Sequence, residues 1–275
     1  MKKQKFQGIL FCTDLDGTLI GSDSRISEEN REAIRYFQSE GGIFTFVTGR
    51  NPSDTDTHCA LVAPNAPIVC LNGGGILDHA AHRMLWAAHL DLEVEAMIDA
   101  VEEKMPDVGI LLHTEEGTYL SHTSESVEEY AERWNYHVPW RDRESVEKPY
   151  CKIVFLHTDG ERIEALSGLL HSHPLCDRYS YIRSEYSLYE ILPKGTNKGD
   201  GLCRLAEHLG IPMEKTIAIG DYNNDVSMIR AARLGVAVAN AVPEAKAAAD
   251  LITVSNDESA IARIIYALDR GEITL

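Results

Sequence analysis

The reading of the chain turns on Gly8-Ile9-Leu10-Phe11-Cys12-Thr13-Asp14-Leu15-Asp16-Gly17-Thr18, an apolar run that ends in two carboxylates one residue apart. Its apolar positions are consecutive rather than alternate, which predicts a strand over 8–13 buried on both faces, as in a parallel sheet. Working outward, Ser27 is a candidate N-cap. The helix after it keeps Ala33, Ile34 and Phe37 on one face and stops at Gly41-Gly42. Strands are expected over 43–47 and 67–71, the second running into Asn72-Gly73-Gly74-Gly75. Strand–helix–strand at this spacing predicts parallel pairing with right-handed crossovers.

The alternation returns near the C-terminus. A helix is expected over 199–209, a strand over 216–219, a helix to about 232, strands over 235–238 and 251–254, and a last helix over 257–268. The middle reads differently: helices over 91–105, 125–134 and 161–171, strands over 109–113, 117–121 and 151–156, and an alternating run over 179–191 that suggests antiparallel pairing. Residues 83–190 carry 22 acidic against 10 basic side chains, far more acidic than the flanks. The expectation is an α/β chain with a parallel-sheet core from residues 1–82 and 191–275 and an inserted α+β domain over 83–190. Its linkers would be 80–86 and 188–193.

At 275 residues, 44% hydrophobic and 25% charged, the composition is that of an ordinary globular protein. No stretch approaches the roughly 20 apolar residues of a membrane span, and the run at 9–12 is too short for a signal peptide. The net charge of −17 comes without a basic stripe, which disfavours nucleic acid and anionic membranes as partners. Six scattered cysteines without a Cys-x-x-Cys pair read as reduced, mostly buried thiols. A cytoplasmic location is expected, and oligomeric state is not legible.

Four short motifs carry candidate chemistry. Asp14 and Asp16 fall at the carboxyl end of a strand, where active sites of parallel sheets form, and one can attack or hold a metal while the other moves a proton. Thr48-Gly49-Arg50 offers a hydroxyl and exposed amides at the next strand end. Lys198 opens a helix, where the macrodipole disfavours it unless an anion compensates. Gly220-Asp221-Tyr222-Asn223-Asn224-Asp225 clusters hard oxygen ligands suited to Mg²⁺. Each has an ordinary reading when taken alone: an Asx-capped turn, a Thr-Gly turn, a snorkelling lysine, a helix N-cap.

Together and in this order, the four motifs resemble the haloacid dehalogenase superfamily of phosphotransferases. The insertion between the second and third motifs, with Asn72-Gly73-Gly74 after the third strand, is similar to its Cof-type subgroup. The resemblance implies a Rossmann-like core and an α+β cap. It implies Asp14 as nucleophile, forming an aspartyl-phosphate, and Asp16 as general acid and then base. Mg²⁺ would be held by Asp14, the Asp16 carbonyl and Asp221, with Asn224 or Asp225 in support. Thr48, Gly49, Arg50, Lys198 and Asn224 would meet the phosphate. Asp16 should then have a raised pKa. The implied activity is hydrolysis of a small phosphorylated metabolite, a sugar phosphate by default. A phosphomutase and a non-catalytic metabolite-binding protein are the alternatives.

Other candidates are weaker. The pairs His79/His82 and His171/His173 lack zinc-ligand spacing to a further partner and read as surface histidines. Trp134, Tyr136 and Trp140 read as core of the inserted domain. Arg141, Arg143 and Lys148 read as a solvated loop.

Overall fold

Every residue of β1 (Leu10–Thr13) is buried. Leu10 and Cys12 enter one apolar cluster and Phe11 the other, the mark of a strand covered on both sides. The structure, a computed structural model, describes residues 4–275. Two compact units divide the chain, one running to Trp86 and resuming as Asn197–Leu275, the other Ala87–Thr196.

In the first unit, α1 (Glu28–Ser39) begins at Ser27, whose hydroxyl accepts from the Asn30 amide, and buries Ala33, Ile34 and Phe37. Then come β2 (Ile43–Phe46), α2 (Asp56–Val62) and β3 (Ile68–Cys70). β3 meets the main sheet through an isolated Val47–Val69 bridge. It instead pairs antiparallel with β4 (Gly75–Asp78), which neighbours β5 (Arg83–Ala87) in a three-stranded sheet. The segment expected as a linker at 80–86 is thus a turn into a strand.

In the second unit the elements are α3 (Glu95–Lys104), β6 (Gly109–His113), β7 (Thr118–His122), α4 (Glu125–Trp134), β8 (Lys152–Leu156), α5 (Gly160–Ser172), β9 (Tyr179–Glu185) and β10 (Leu188–Pro193). The sheet order is β7-β6-β8-β10-β9, and every pairing is antiparallel. Residues 188–193, expected as a hinge, are its fourth strand. One face packs Ile110, Leu112, Ile153, Phe155 and Ile191 against α3 and α5. The other carries Leu111, Val154 and Leu156 beside Val127, Tyr130 and Tyr136. A buried polar group sits among these strands. Lys152 Nζ donates to Glu190 Oε2 at 3.0 Å, Ser184 Oγ donates to Glu190 Oε1 at 2.5 Å, and His113 Nδ1 lies 3.0 Å from Thr118 Oγ1. Burial foremost, and then the Lys152 charge, hold the His113 imidazole well below the usual range.

The two tryptophans expected in the core of the inserted unit lie at its surface instead. Trp134 and Trp140 are each 60% exposed. Trp134 is the last residue of α4, where the chain leaves through left-handed Asn135, and Tyr136 folds back edge-on to Tyr130 at 5.9 Å. Arg143 is not a loose loop cation either: it reaches Glu95, Asp99 and Glu102 of α3, while Lys148 pairs with Glu95.

The first unit resumes with α6 (Lys198–Leu209), β11 (Thr216–Gly220), α7 (Val226–Ala231), β12 (Leu234–Ala237), α8 (Pro243–Ala248), β13 (Leu251–Ile252) and α9 (Ala260–Asp269). The expected parallel sheet is present, in the order β13-β12-β11-β1-β2. α1 and α9 cover the face of Phe11, Phe44, Ile217 and Ile219, and α6 covers that of Leu10, Cys12 and Ala218. With the order reversing about β1, loops from β1 and β11 meet at the carboxyl edge, which is where ligands bind in open α/β sheets.

Candidate active site

Parallel register brings the motifs together. The Asp14 amide donates to Ile219 O of β11, and the Val47 amide donates to Thr13 O, so the three strand ends stay level. Asp14 is buried at the end of β1. Lys198, at the start of α6 and 1% exposed, donates to Asp14 Oδ1 at 2.6 Å and Asp225 Oδ1 at 2.5 Å. These carboxylates supply the anion that a lysine at a helix start calls for.

The Asp225 Oδ2 accepts from the amides of Asp221 and Tyr222 at 2.9 and 3.0 Å and holds the loop after β11, so with Oδ1 taken by Lys198 both of its oxygens are engaged. Thr18 Oγ1 donates to Asp221 Oδ1 at 2.7 Å. Gly17 has φ +74°, and a Cβ there would lie 2.5 Å from Asp221 Oδ2. A side chain at position 17 would therefore collide with the carboxylate as well as strain the turn.

One carboxylate oxygen from each of Asp14, Asp221 and Asp225 lies within 4.8 Å of the others. Against one ammonium, three carboxylates when ionised leave a surplus of two negative charges. The titration behaviour follows. Burial foremost, then the charges of Asp225, Asp221 and Asp16, raise Asp14 well above the carboxylate range against the pull of Lys198. Burial and Asp225 push Asp221 up to about 7. Burial disfavours the Lys198 charge, but Asp14 and Asp225 outweigh it and keep the ammonium. The residues therefore fit a small divalent cation with oxygen ligands: two buried and one half-buried hard donor whose full ionisation a 2+ ion would balance.

Asp16 departs from expectation. Its side chain is 60% exposed and is held by Arg50, with Nε 2.9 Å from Oδ2 and Nη2 2.7 Å from Oδ1. Crowding by the protein raises its pKa, but the Arg50 hydrogen bonds and charge, with His58 and Lys198 adding to them, bring it below the usual range instead. Arg50 also donates to Asp54 O. The guanidinium expected at the phosphate is thus committed to a carboxylate.

Thr48 and Asn72 are stitched together: the Asn72 amide donates to Thr48 O at 3.0 Å, and Thr48 Oγ1 accepts from the Arg50 amide. Asn72 is fully buried with φ 54°, and its Oδ1 accepts from Asn224 Nδ2 at 3.0 Å. A Cβ on Gly49 would stand 2.9 Å from that same Oδ1, so glycine allows the Thr48 loop to approach it. Asn224 therefore lies against Asn72, a position the motif order alone did not indicate. The loop after β12 also reaches the site, through Asn240 and Val242, and sequence reasoning missed it.

A model of the haloacid dehalogenase-like hydrolase family matches residues 11–265. The curated 5-amino-6-(5-phospho-D-ribitylamino)uracil phosphatase YwtE of Bacillus subtilis is 30% identical over 94% of this chain and 97% of its own length. The chloroplastic endoribonuclease YBEY of Arabidopsis thaliana is 30% identical over 96% of this chain, which spans only about half (47%) of that protein. A solved subclass IIB sugar phosphatase of the superfamily superposes with a TM-score of 0.78 at 25% identity, covering 96% of this chain and 100% of that one. The match runs through all four motifs and across the inserted unit, and the chain belongs to the haloacid dehalogenase-like hydrolases, as an enzyme of the Cof-type phosphatase subgroup.

Proposed function

We propose that the protein is a Mg²⁺-dependent phosphatase that hydrolyses a small phosphomonoester through an aspartyl-phosphate on Asp14. The observation that carries this reading is the Asp14–Lys198–Asp225–Asp221 cluster, in which three carboxylates meet one ammonium. Asp14 and Asp221, with the Asp16 carbonyl, would hold Mg²⁺, which when bound offsets the repulsion between a carboxylate and a phosphate dianion. Asp225, with both oxygens engaged, supports the loop rather than leading the coordination.

Asp14 Oδ2 forms the bond to phosphorus while the bond to the leaving alkoxide breaks, and a protonated Asp16 gives that oxygen its proton. In the second half, ionised Asp16 takes a proton from water as the water oxygen attacks phosphorus, and the Asp14–phosphorus bond breaks. Lys198 and Thr48 hold the phosphoryl oxygens in both halves. Asp16 as it rests on Arg50 is in the form the second half needs, so proton donation in the first half requires its carboxyl to leave the guanidinium. Selection among phosphomonoesters is assigned to the inserted unit, and the relatives named for a phosphoribityl compound and for sugars support a phosphate borne on a sugar or polyol chain.

The test is phosphate release from a panel of sugar and polyol phosphates, with Mg²⁺ or with chelator, by wild type and Asp14→Asn. Release by wild type with Mg²⁺ alone is expected. Equal release by both proteins would remove Asp14 from the mechanism.

A further inference from the structure

The metal-holding loops have a common support outside the four motifs. Asn240, in the loop after β12, donates from Nδ2 to Gly17 O at 2.8 Å. Two residues on, the Val242 amide donates to Asp221 O at 2.9 Å. One loop therefore grips both the Asp16–Gly17 turn and the backbone of Asp221. Gly17 in turn sits against the Asp221 carboxylate, so a shift in one is felt by the other.

Asn240 is itself fixed from behind. Its Oδ1 accepts from the Asn256 amide at 3.0 Å, and Asn256 Nδ2 donates to Ile20 O at 2.9 Å. The Ala239 amide donates to Val254 O, tying the same loop to the segment after β13. The two asparagines thus bracket the turn at both ends, Gly17 and Ile20. Thr18, which donates to Asp221, lies between those ends.

We infer that Asn240, braced by Asn256, is a positioning residue that sets the spacing between the Asp16–Gly17 backbone and Asp221, and so the affinity of the site for Mg²⁺. Neither asparagine is among the groups that would hold the cation. The inference rests on the Mg²⁺ reading of the site. Outer partners of metal ligands typically change affinity by ~10–100-fold when removed. Asn240 is solvent-exposed, which places it at the low end.

Mg²⁺ is titrated calorimetrically into metal-free full-length wild type, Asn240→Ala and Asn256→Ala, with phosphate release followed across Mg²⁺ concentration on the same preparations. Expected is about tenfold weaker Mg²⁺ binding by Asn240→Ala and a smaller loss in the same direction by Asn256→Ala. Turnover should recover at saturating Mg²⁺, and metal-free melting should stay at the wild-type temperature. Wild-type affinity in Asn240→Ala would overturn the inference and leave the phosphatase reading standing. If Asn240→Ala does not fold, Asn256→Ala decides by the same criterion. Wild type that releases phosphate without binding Mg²⁺ would overturn the metal assignment and this inference with it.

Discussion

Lys198 in the first unit and Lys152 in the second are both buried beside carboxylates, yet the charge around them differs. Lys152 faces Glu190, which Ser184 also bonds, and the pair is balanced. Lys198 lies between Asp14 and Asp225 with Asp221 close by, so that cluster sets three carboxylates against one ammonium. A balanced buried pair has nothing further to gain from a cation. An unbalanced one is held together at a cost that a divalent ion removes. The difference separates a structural ion pair from a reactive one without reference to any motif.

The comparison breaks most visibly at the nucleophile. Asp14→Asn should lower phosphate release by at least ~10⁴-fold while leaving the fold intact by circular dichroism. Next come the lysines. Lys152→Met should destabilise by about 3–5 kcal/mol, and Lys152→Met/Glu190→Leu should recover most of that, both unaffected by Mg²⁺. Lys198→Met should lose most activity, and its stability should depend on Mg²⁺, as read by denaturant melts with and without the ion.

The pH dependence sharpens the same contrast. Asp14 and Asp221 have raised pKa values in the folded state, so the stability they contribute is present below the unfolded value near 4 and is lost as pH rises toward about 7. Mg²⁺ competes with those protons. The rise in melting temperature on adding Mg²⁺ should therefore be larger at pH 8 than at pH 6, and the slope should be reduced in Asp221→Asn. The smallest effect is expected at Arg50. Arg50→Ala should change turnover by about tenfold, and more for alkyl than for aryl phosphates, since only a poor leaving group needs the Asp16 proton. Equal losses on both would place Arg50 at the phosphate instead.

Much of this was legible in the sequence, for identifiable reasons. The doubly buried run before Asp14 and the recurrence of strand–helix alternation specify a parallel sheet, and carboxylates at strand ends specify where its chemistry sits. Lys198 could be singled out because its place at a helix start is unfavourable without an anion. The commitment of Arg50 to Asp16 could not, because a guanidinium suits a phosphate and a carboxylate equally. Asn240 and Asn256 were silent because asparagines in loops are ordinary turn residues, and the partner of Asn240 is 223 positions away. Strand β5 fills most of the 80–86 segment that reads as a linker, because it is short and follows the turn His79-Ala80-Ala81-His82. Trp134 and Trp140 show that aromatic spacing alone does not place a side chain inside.

The most direct measurement is intact-mass and peptide analysis of enzyme acid-quenched during turnover of a good substrate in Mg²⁺. One phosphoryl group on the peptide containing Asp14, lost in Asp14→Asn, is the expected result. Steady phosphate release with no such adduct, or with an adduct on another residue, would contradict Asp14 as the nucleophile.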